Sequence, residues 1–296
     1  MLQIELQQKN GYCIGRFSAM ACPCEILLET DDLTLAEKIT RLAAEEALRV
    51  EHKFSRYRND NIIYQINNAK GQAITVDNET ALLLDFAQQC FELSDGLFDI
   101  TSGILRRVWR FDGSDRIPDA DAVNQLLPFI GWHKISWQVP QIKLPEGMEI
   151  DLGGIGKEYA VDATVKLLRQ HTQHSFLVNY GGDIACPKPR LNNQPWLIGV
   201  DDPGHTGEVS AGAISLYRGG LATSGDARRF LLRDGKRYSH ILNPKTGYPV
   251  EGAPRSVSVI ASTCIEAGML STFAMLQGSQ AVSFLDAQDV KYWCIA

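Results

Sequence analysis

The sequence predicts an α+β protein that combines antiparallel strand pairs with long helices. Asp234-Gly235 lies between two short apolar stretches, which is typical of the tight turn of a β-hairpin. Apolar residues recur at helical spacing through residues 34–54. Residues 255–261 alternate instead, with Val257, Val259 and Ala261 on one face, as expected for a strand that packs on a core.

The first half of the chain begins with a predicted strand pair at residues 11–30, which turns at residues 19–23. Thr34 and Glu37 form a capping box for the first long helix. A second helix is predicted over residues 77–93, and Gly96 suits the left-handed position after it. Weak strands near residues 134–137 and 141–144 follow in a loop-rich segment.

Strands and helices are mixed in the second half. Strands are predicted over residues 148–152, 175–180, 196–200, 212–217 and 290–295, beside the central hairpin and residues 255–261. Helices are predicted over residues 157–170, 266–276 and 280–286. The chain shows no internal repeat or obvious linker, so we expect a single domain over residues 1–296, which is long enough for one large core or for two interleaved subdomains.

Composition excludes several classes of protein. Hydrophobic residues make up 45% and charged residues 22%, which is ordinary for a globular protein. The net charge of −6 argues against a nucleic-acid binder. No apolar run is long enough to cross a bilayer, and the first residues lack the pattern of a secretory signal. We therefore expect a cytoplasmic protein, or one from which a leader has been removed.

The seven cysteines are scattered, which suits a reducing compartment better than a disulfide framework. Cys22-Pro23-Cys24 raises the question of a metal or redox site. Its spacing is not the two-residue gap of zinc or thioredoxin-like motifs, and free, half-buried cysteines are expected there.

Chemically capable groups flank the predicted hairpin. His240 lies at the end of the second strand, where a rigid element can aim it, although it could also be a packed strand residue. Thr223 and Ser224 provide hydroxyls before the first strand. The hairpin is therefore a candidate for the active site.

Two glycine-rich junctions could approach a ligand. Residues 151–157 read DLGGIGK, and bare backbone N–H groups ahead of a helix can receive a phosphate; a tight strand-to-helix turn is the alternative. Lys157 opposes the helix dipole, which favours an anionic partner. Residues 179–183 read NYGGD and allow a close ligand or a bulge. Ser271 and Thr272 could offer oxygens to a hard cation or bond to the preceding helical turn.

Residues 238–249, YSHILNPKTGYP, resemble the signature of the ApbE family of FAD:protein FMN transferases. The other junctions match this family in order, from Met20 to beyond Thr272. The resemblance implies a two-part α+β fold with antiparallel sheets, helices packed on them, and FAD in a cleft between the parts. It also implies that FAD is cleaved with Mg²⁺, and that FMN passes to a Thr or Ser hydroxyl of a target flavoprotein while AMP is released.

The resemblance assigns roles to individual residues. His240 would be the base that takes the proton of the acceptor hydroxyl. Mg²⁺ would be held by the backbone carbonyl of Gly154 and by Ser271 and Thr272. The FAD-binding residues that it implies are Met20, Tyr57, Leu97, Phe98, Asp99, Asp151, Lys157, Ile241 and Leu242.

Three positions depart from the family pattern. Gly268 stands where the family has the aspartate that holds Mg²⁺, Glu158 stands where it has glycine, and Cys22 stands where it has threonine. We hypothesise that Glu158 or Glu266 replaces the lost carboxylate. The alternatives are an FAD-binding or carrier protein without transferase activity, and an FAD pyrophosphatase that yields FMN and AMP.

Overall fold

The computed structural model describes residues 2–201, 210–226 and 230–295. Residues 227–229, which belong to the predicted hairpin region, lie outside the described ranges. The strands are β1 (Glu5–Lys9), β2 (Tyr12–Ala19), β3 (Cys22–Leu28), β4 (Ala73–Thr75), β5 (Ser136–Gln138), β6 (Gln141–Lys143), β7 (Phe176–Tyr180), β8 (Asp183–Cys186), β9 (Trp196–Asp201), β10 (Ser210–Leu216), β11 (Gly219–Gly225), β12 (Phe230–Arg233), β13 (Lys236–Ser239), β14 (Ser256–Ala261) and β15 (Lys291–Ile295).

The helices lie between these strands. The α-helices are α1 (Leu33–Phe54), α2 (Ile62–Asn67), α3 (Asn78–Leu93), α4 (Ala120–Asn124), α5 (Gly156–Leu168), α6 (Cys264–Leu276) and α7 (Ala281–Ala287). Short 3₁₀ segments are Ile100–Arg107, Leu127–Phe129, Trp132–Lys134, Leu191–Asn193 and Gly278–Gln280. The α+β prediction is confirmed.

The main sheet has eight strands in the order β1-β2-β3-β7-β8-β11-β14-β15, and all neighbours are antiparallel. Helices α1, α5 and α6 pack on one face of it. On β7, Phe176 and Val178 face these helices, whereas Leu177 packs against the β9–β10 hairpin. Burial on both faces explains why Phe176, Leu177 and Val178 are apolar in succession rather than alternating with polar residues.

Smaller sheets surround the main one. Strands β4, β6 and β5 form a three-stranded sheet, and β9–β10 and β12–β13 are hairpins. In the β12–β13 hairpin, Asp234 (φ 52°) and Gly235 (φ 74°) both have positive φ angles. The predicted tight turn is therefore confirmed.

Strand β11 lies against the N-terminal end of α6 at very short range. A Cβ atom built on Gly220 would be 2.3 Å from the backbone nitrogen of Cys264. Only glycine allows this approach. The contact fixes the position of Ser224, further along β11, relative to α6.

Two local predictions were wrong. The first helix begins at Leu33 and is capped by Asp32, whose carboxylate accepts the N–H of Leu35, so Thr34 is not its cap. Residues 148–152 are not a strand, because their backbone groups bond elsewhere. Ile150 exchanges hydrogen bonds with the Asn67 side chain, and the N–H of Asp151 donates to the carbonyl of Ile100.

Within the described ranges, no helix combines the length and apolar character needed to cross a membrane.

Candidate active site

An ion pair between a half-buried lysine and a buried carboxylate lies at the start of α5. Lys157 Nζ is 2.6 Å from Asp183 Oδ2, and Asp183 is buried at the first position of β8, directly after the Gly181-Gly182 turn. Burial lowers the pKa of Lys157, but the facing Asp183 carboxylate outweighs this effect and raises the pKa above its ordinary value. Lys157 therefore stays positively charged at the N-terminal end of a helix, which suits an anionic group.

Glu158, the next residue of α5, faces Gly268 of α6. A Cβ atom built on Gly268 would lie 2.6 Å from Cγ and 2.9 Å from Oε1 of Glu158, so the glycine leaves room for the glutamate. One turn further along α5, Asp162 accepts the backbone N–H groups of Cys264 and Ile265, each at 2.9 Å. The two helices thus run antiparallel here, and the Asp162 contact sets the register that brings Glu158 opposite Gly268.

The Glu158 carboxylate has an oxygen without a partner. Its Oε2 atom is buried and accepts no hydrogen bond from the described part of the chain. Burial, reinforced by the negative charge of Asp183, raises the pKa of Glu158 to about 8. A buried carboxylate oxygen is costly unless a donor or a cation satisfies it. The position therefore fits a positively charged ligand.

Glu266, the other candidate for the missing family carboxylate, is placed differently. It lies in the first turn of α6, and its Oε2 atom accepts a hydrogen bond of 2.6 Å from the Ser262 hydroxyl. Its carboxylate therefore has a partner at the exposed start of the helix. The geometry favours Glu158 over Glu266.

Three hydroxyls meet one turn along α6 from Gly268. Ser224 Oγ on β11 is 2.9 Å from both Ser271 Oγ and Thr272 Oγ1. Ser271 Oγ also donates to the carbonyl of Gly268 at 3.1 Å, which is the helix-internal bond considered above as the alternative role. Ser271 and Thr272 thus belong to one oxygen-rich cluster, and Ser224 is its third member.

The glycine loop that enters α5 packs on an aromatic side chain. A Cβ atom on Gly154 would be 3.2 Å from the Phe98 ring, whose centroid is 6.0 Å from that of Phe273 in α6. At the start of the loop, Asp151 accepts the N–H of Gly153 at 3.0 Å and pairs with Arg56 at 2.5 Å. The fold therefore brings Phe98, Asp151 and Gly154 into one region.

Asp99 has a structural role. It is buried, and its carboxylate accepts the N–H and hydroxyl of Thr101, at 2.8 and 2.6 Å, and the N–H of Trp132 at 3.0 Å. It also lines a surface cavity of about 330 Å³ that reaches His133 and Lys245. Leu97 packs against the main core. Contact of Asp99 or Leu97 with FAD stays a prediction.

Met20 and Tyr57, two residues of the predicted FAD-binding set, lie in different loops. Met20 is in the β2–β3 turn, where its N–H donates to Glu51 of α1 at 2.8 Å. Tyr57 is 83% exposed, and its hydroxyl accepts a hydrogen bond of 2.9 Å from Arg56. Because Arg56 also pairs with Asp151, Tyr57 is linked to the glycine loop.

His240 follows β13, and its ring centroid is 6.3 Å from that of Phe111. The hairpin that carries it is tied to the end of β11 through Asp226. This buried carboxylate accepts hydrogen bonds from Arg237 Nε at 2.8 Å and from Arg255 Nε at 3.1 Å. Charge-assisted bonds of this kind position the hairpin and its histidine.

An aromatic cluster around Trp109 also contacts this hairpin and the segment that follows it. Trp109 Nε1 donates to the carbonyl of Gly247 at 2.8 Å, and its ring contacts Tyr238. Leu242 packs into this cluster, and Ile241 packs against the main core. The segment that resembles the family signature therefore packs against both the Trp109 cluster and the main core.

Residue-by-residue reasoning missed several members of the site. Ser224 was noted only as a hydroxyl, and Asp183 only as the end of a glycine turn. Asp162 and Asp226 carried no signal, because their roles arise from contacts 102 and 29 residues away. For Asp183, its position after an apolar strand and a glycine turn was the available hint.

Within the described ranges, the fold places a half-buried lysine and a carboxylate oxygen without a hydrogen-bond partner at the start of α5, directly after the glycine loop, and a hydroxyl cluster on α6 and β11. The ApbE family model matches residues 20–294. The chain belongs to the ApbE family.

Relatives and solved structures agree with this assignment. An FAD:protein FMN transferase of Treponema pallidum is 32% identical over 266 residues, which cover 82% of this chain and 71% of the relative. An FAD:protein FMN transferase of Haemophilus influenzae is 29% identical over 265 residues, which cover 85% of this chain and 76% of the relative. A crystal structure of an ApbE protein from Thermotoga maritima superimposes with a TM-score of 0.84 at 31% identity. The match covers 96% of this chain and 94% of the Thermotoga maritima chain.

Proposed function

We propose that this protein is an FAD:protein FMN transferase, which moves FMN from FAD to a Ser or Thr hydroxyl of an acceptor flavoprotein and releases AMP. The names of its relatives support the reaction. The observation that carries it for this chain is the buried Glu158 Oε2 atom, which has no hydrogen-bond partner in the described part of the chain and lies opposite Gly268, one helical turn from the Ser271–Thr272 hydroxyls. This geometry provides a carboxylate near the position where the family pattern expects one.

In this proposal His240 acts as the general base. The acceptor hydroxyl oxygen bonds to the phosphorus of the FMN half of FAD, the pyrophosphate P–O bond breaks, and AMP leaves. His240 takes the proton of the hydroxyl, a role that a histidine suits near neutral pH. The support is positional, because Asp226 and the Trp109 cluster hold its hairpin in place.

Lys157 and Asp151 would contribute to FAD binding from the glycine loop. Lys157 keeps its charge near the N-terminal end of α5, where phosphate oxygens are favoured. Asp151 is oriented by Arg56, and Phe98 supports the loop from beneath. The remaining residues proposed to contact FAD are Met20, Tyr57, Leu97, Asp99, Ile241 and Leu242.

The oxygen donors fit a magnesium ion. Over residues 2–201, 210–226 and 230–295, no three His, Cys, Asp or Glu side chains are grouped to hold a metal. A hard cation would instead be held by Glu158, by the hydroxyls of Ser271 and Thr272, and by the carbonyl of Gly154, all of them oxygen ligands. When bound, Mg²⁺ supplies positive charge to the pyrophosphate and to the leaving phosphate.

The test separates transfer from its two alternatives. The protein is incubated with FAD, Mg²⁺ and a flavin-acceptor domain, and AMP, free FMN and protein-bound flavin are each quantified. Transfer predicts equal amounts of AMP and acceptor-bound flavin, both abolished by EDTA. AMP with an equal amount of free FMN would indicate a pyrophosphatase, and bound FAD without AMP would indicate a carrier.

A further inference from the structure

Two thiols lie next to one another at the edge of the site. Cys22 is the first residue of β3, directly after a turn in which Met20 and Ala21 have φ angles of 51° and 57°. Cys24 is two residues further on, so both side chains lie on the same face of the strand. Their Sγ atoms are 4.0 Å apart. Cys22 is half-buried, whereas Cys24 is 1% exposed.

Cys22 shares its surroundings with Lys157. A Cβ atom built on Gly181 would lie 3.0 Å from Cys22 Sγ and 3.9 Å from Lys157 Nζ, so the thiol and the ammonium group flank the same turn. The hydrogen bond with Cys24 lowers the pKa of Cys22, and Lys157 adds to this effect, against burial and the negative charges of Asp183 and Glu51, which raise it. The same hydrogen bond, together with burial, raises the pKa of Cys24. The two thiols therefore differ in both access and acidity.

We propose that Cys22 and Cys24 form a reversible oxidation site beside Lys157, at which a hydroperoxide is reduced and an intrachain disulfide forms. The Cys22 thiolate attacks one oxygen of hydrogen peroxide, the O–O bond breaks, and a sulfenic acid and hydroxide result. The Cys24 thiol then attacks the Cys22 sulfur, an S–S bond forms, and the sulfenic oxygen leaves as water with the thiol proton. The two thiols together supply the two electrons that reduce the peroxide.

The geometry places such a bond within reach. Cys22 is the first residue of its strand, directly after a turn, whereas Cys24 pairs with Phe17 and Tyr180 inside the sheet. The sulfurs, which are 4.0 Å apart, must close to the roughly 2.05 Å of a disulfide. Because Cys22 is half-buried, an external dithiol can reduce the bond by thiol exchange. Oxidation also removes the ionisable thiol beside Lys157.

The test treats the intact protein with hydrogen peroxide and follows each cysteine by peptide mass spectrometry. Cys294 is the internal control, because it is also half-buried but burial raises its pKa. We expect Cys22 to react at least about tenfold faster than Cys294, in line with its greater thiolate character. We expect one cross-linked peptide that contains both Cys22 and Cys24, reversed by dithiothreitol.

Substitutions assign the two roles. Cys24→Ser should stop the reaction at a Cys22 sulfenic acid that dimedone traps, and Cys22→Ser should leave Cys24 reduced. Equal rates at Cys22 and Cys294, or Cys22 oxidised to sulfinic acid with no cross-link in the wild-type protein, would overturn the proposal. The wild-type measurement needs neither variant to fold and does not depend on FMN transfer.

Discussion

The double substitution Glu158→Gly with Gly268→Asp moves one carboxylate from α5 to the facing position of α6. Gly268→Asp alone would put a Cβ atom 2.6 Å from Glu158 Cγ. Overpacking of this kind costs about 1–3 kcal/mol. Glu158→Gly alone removes the carboxylate, and a lost charge-assisted ligand is worth about 1.5–3 kcal/mol, or roughly 10- to 100-fold in Mg²⁺ affinity. The double variant removes the clash and restores a carboxylate.

The assay is a double-mutant cycle read in two ways. The free energy of unfolding is measured for the four proteins, and Mg²⁺ affinity is measured in the presence of FAD. We expect the double variant to recover stability lost by Gly268→Asp and affinity lost by Glu158→Gly, with a coupling energy of about 2 kcal/mol. Glu158→Gly lowers the helix propensity of α5 and Gly268→Asp raises that of α6, so the two effects offset one another in the double variant.

Glu158→Gln is the matched control, because it keeps the shape of the side chain and removes only the charge. It should weaken Mg²⁺ binding as Glu158→Gly does. If Mg²⁺ dependence is unchanged in Glu158→Gln, or if the double variant binds Mg²⁺ no better than Glu158→Gly, then Glu158 is not the replacement carboxylate.

Three further predictions concern His240, Asp226 and Glu79, a carboxylate in the first turn of α3. His240→Ala should lower the rate of FMN transfer by about 100- to 10,000-fold while FAD affinity changes little, and a matching loss of FAD affinity would argue against a base. Asp226→Asn breaks the anchor of the hairpin, so we expect about 2–3 kcal/mol of destabilisation in denaturant melts together with a slower transfer rate; unchanged values of both would contradict this role. Partial burial raises the pKa of Glu79, but hydrogen bonds from Arg49, Lys53 and Tyr159 outweigh it and bring the pKa to about 2. A carboxyl with a lowered pKa stabilises the fold above its ordinary pKa and loses this effect as the pH falls toward 2. Glu79→Gln should therefore lower the free energy of unfolding by about 1–2 kcal/mol at pH 7, after allowance for solvent screening, and by almost nothing near pH 2. Denaturant melts at the two pH values check this, and an equal loss of stability at both would contradict the lowered pKa of Glu79.

The β12–β13 hairpin was predictable because its signal is local. Asp234-Gly235 favours positive φ angles, and the flanking residues pair directly across the turn. Strand β11 was missed for the opposite reason. Its sequence, GGLATSG, has little strand propensity, and it is a strand because β8 and β14 pair with it on both sides.

The residues of the candidate site show the same difference between local signals and tertiary contacts. The sequence motifs predict the glycine loop of residues 151–157, the Ser271–Thr272 hydroxyls and His240 as parts of the candidate site. The choice between Glu158 and Glu266 could not be made from spacing, because it depends on the register of α5 against α6. That register is set by Asp162, whose carboxylate accepts backbone N–H groups of α6 in a tertiary contact.

The most direct test of the proposed function is the intact mass of an acceptor domain after incubation with this protein, FAD and Mg²⁺. We predict a mass gain of one FMN, located on a Ser or Thr by fragmentation, and absent with EDTA or with His240→Ala. An acceptor of unchanged mass, with FAD bound to the protein or AMP released to solution, would contradict the account.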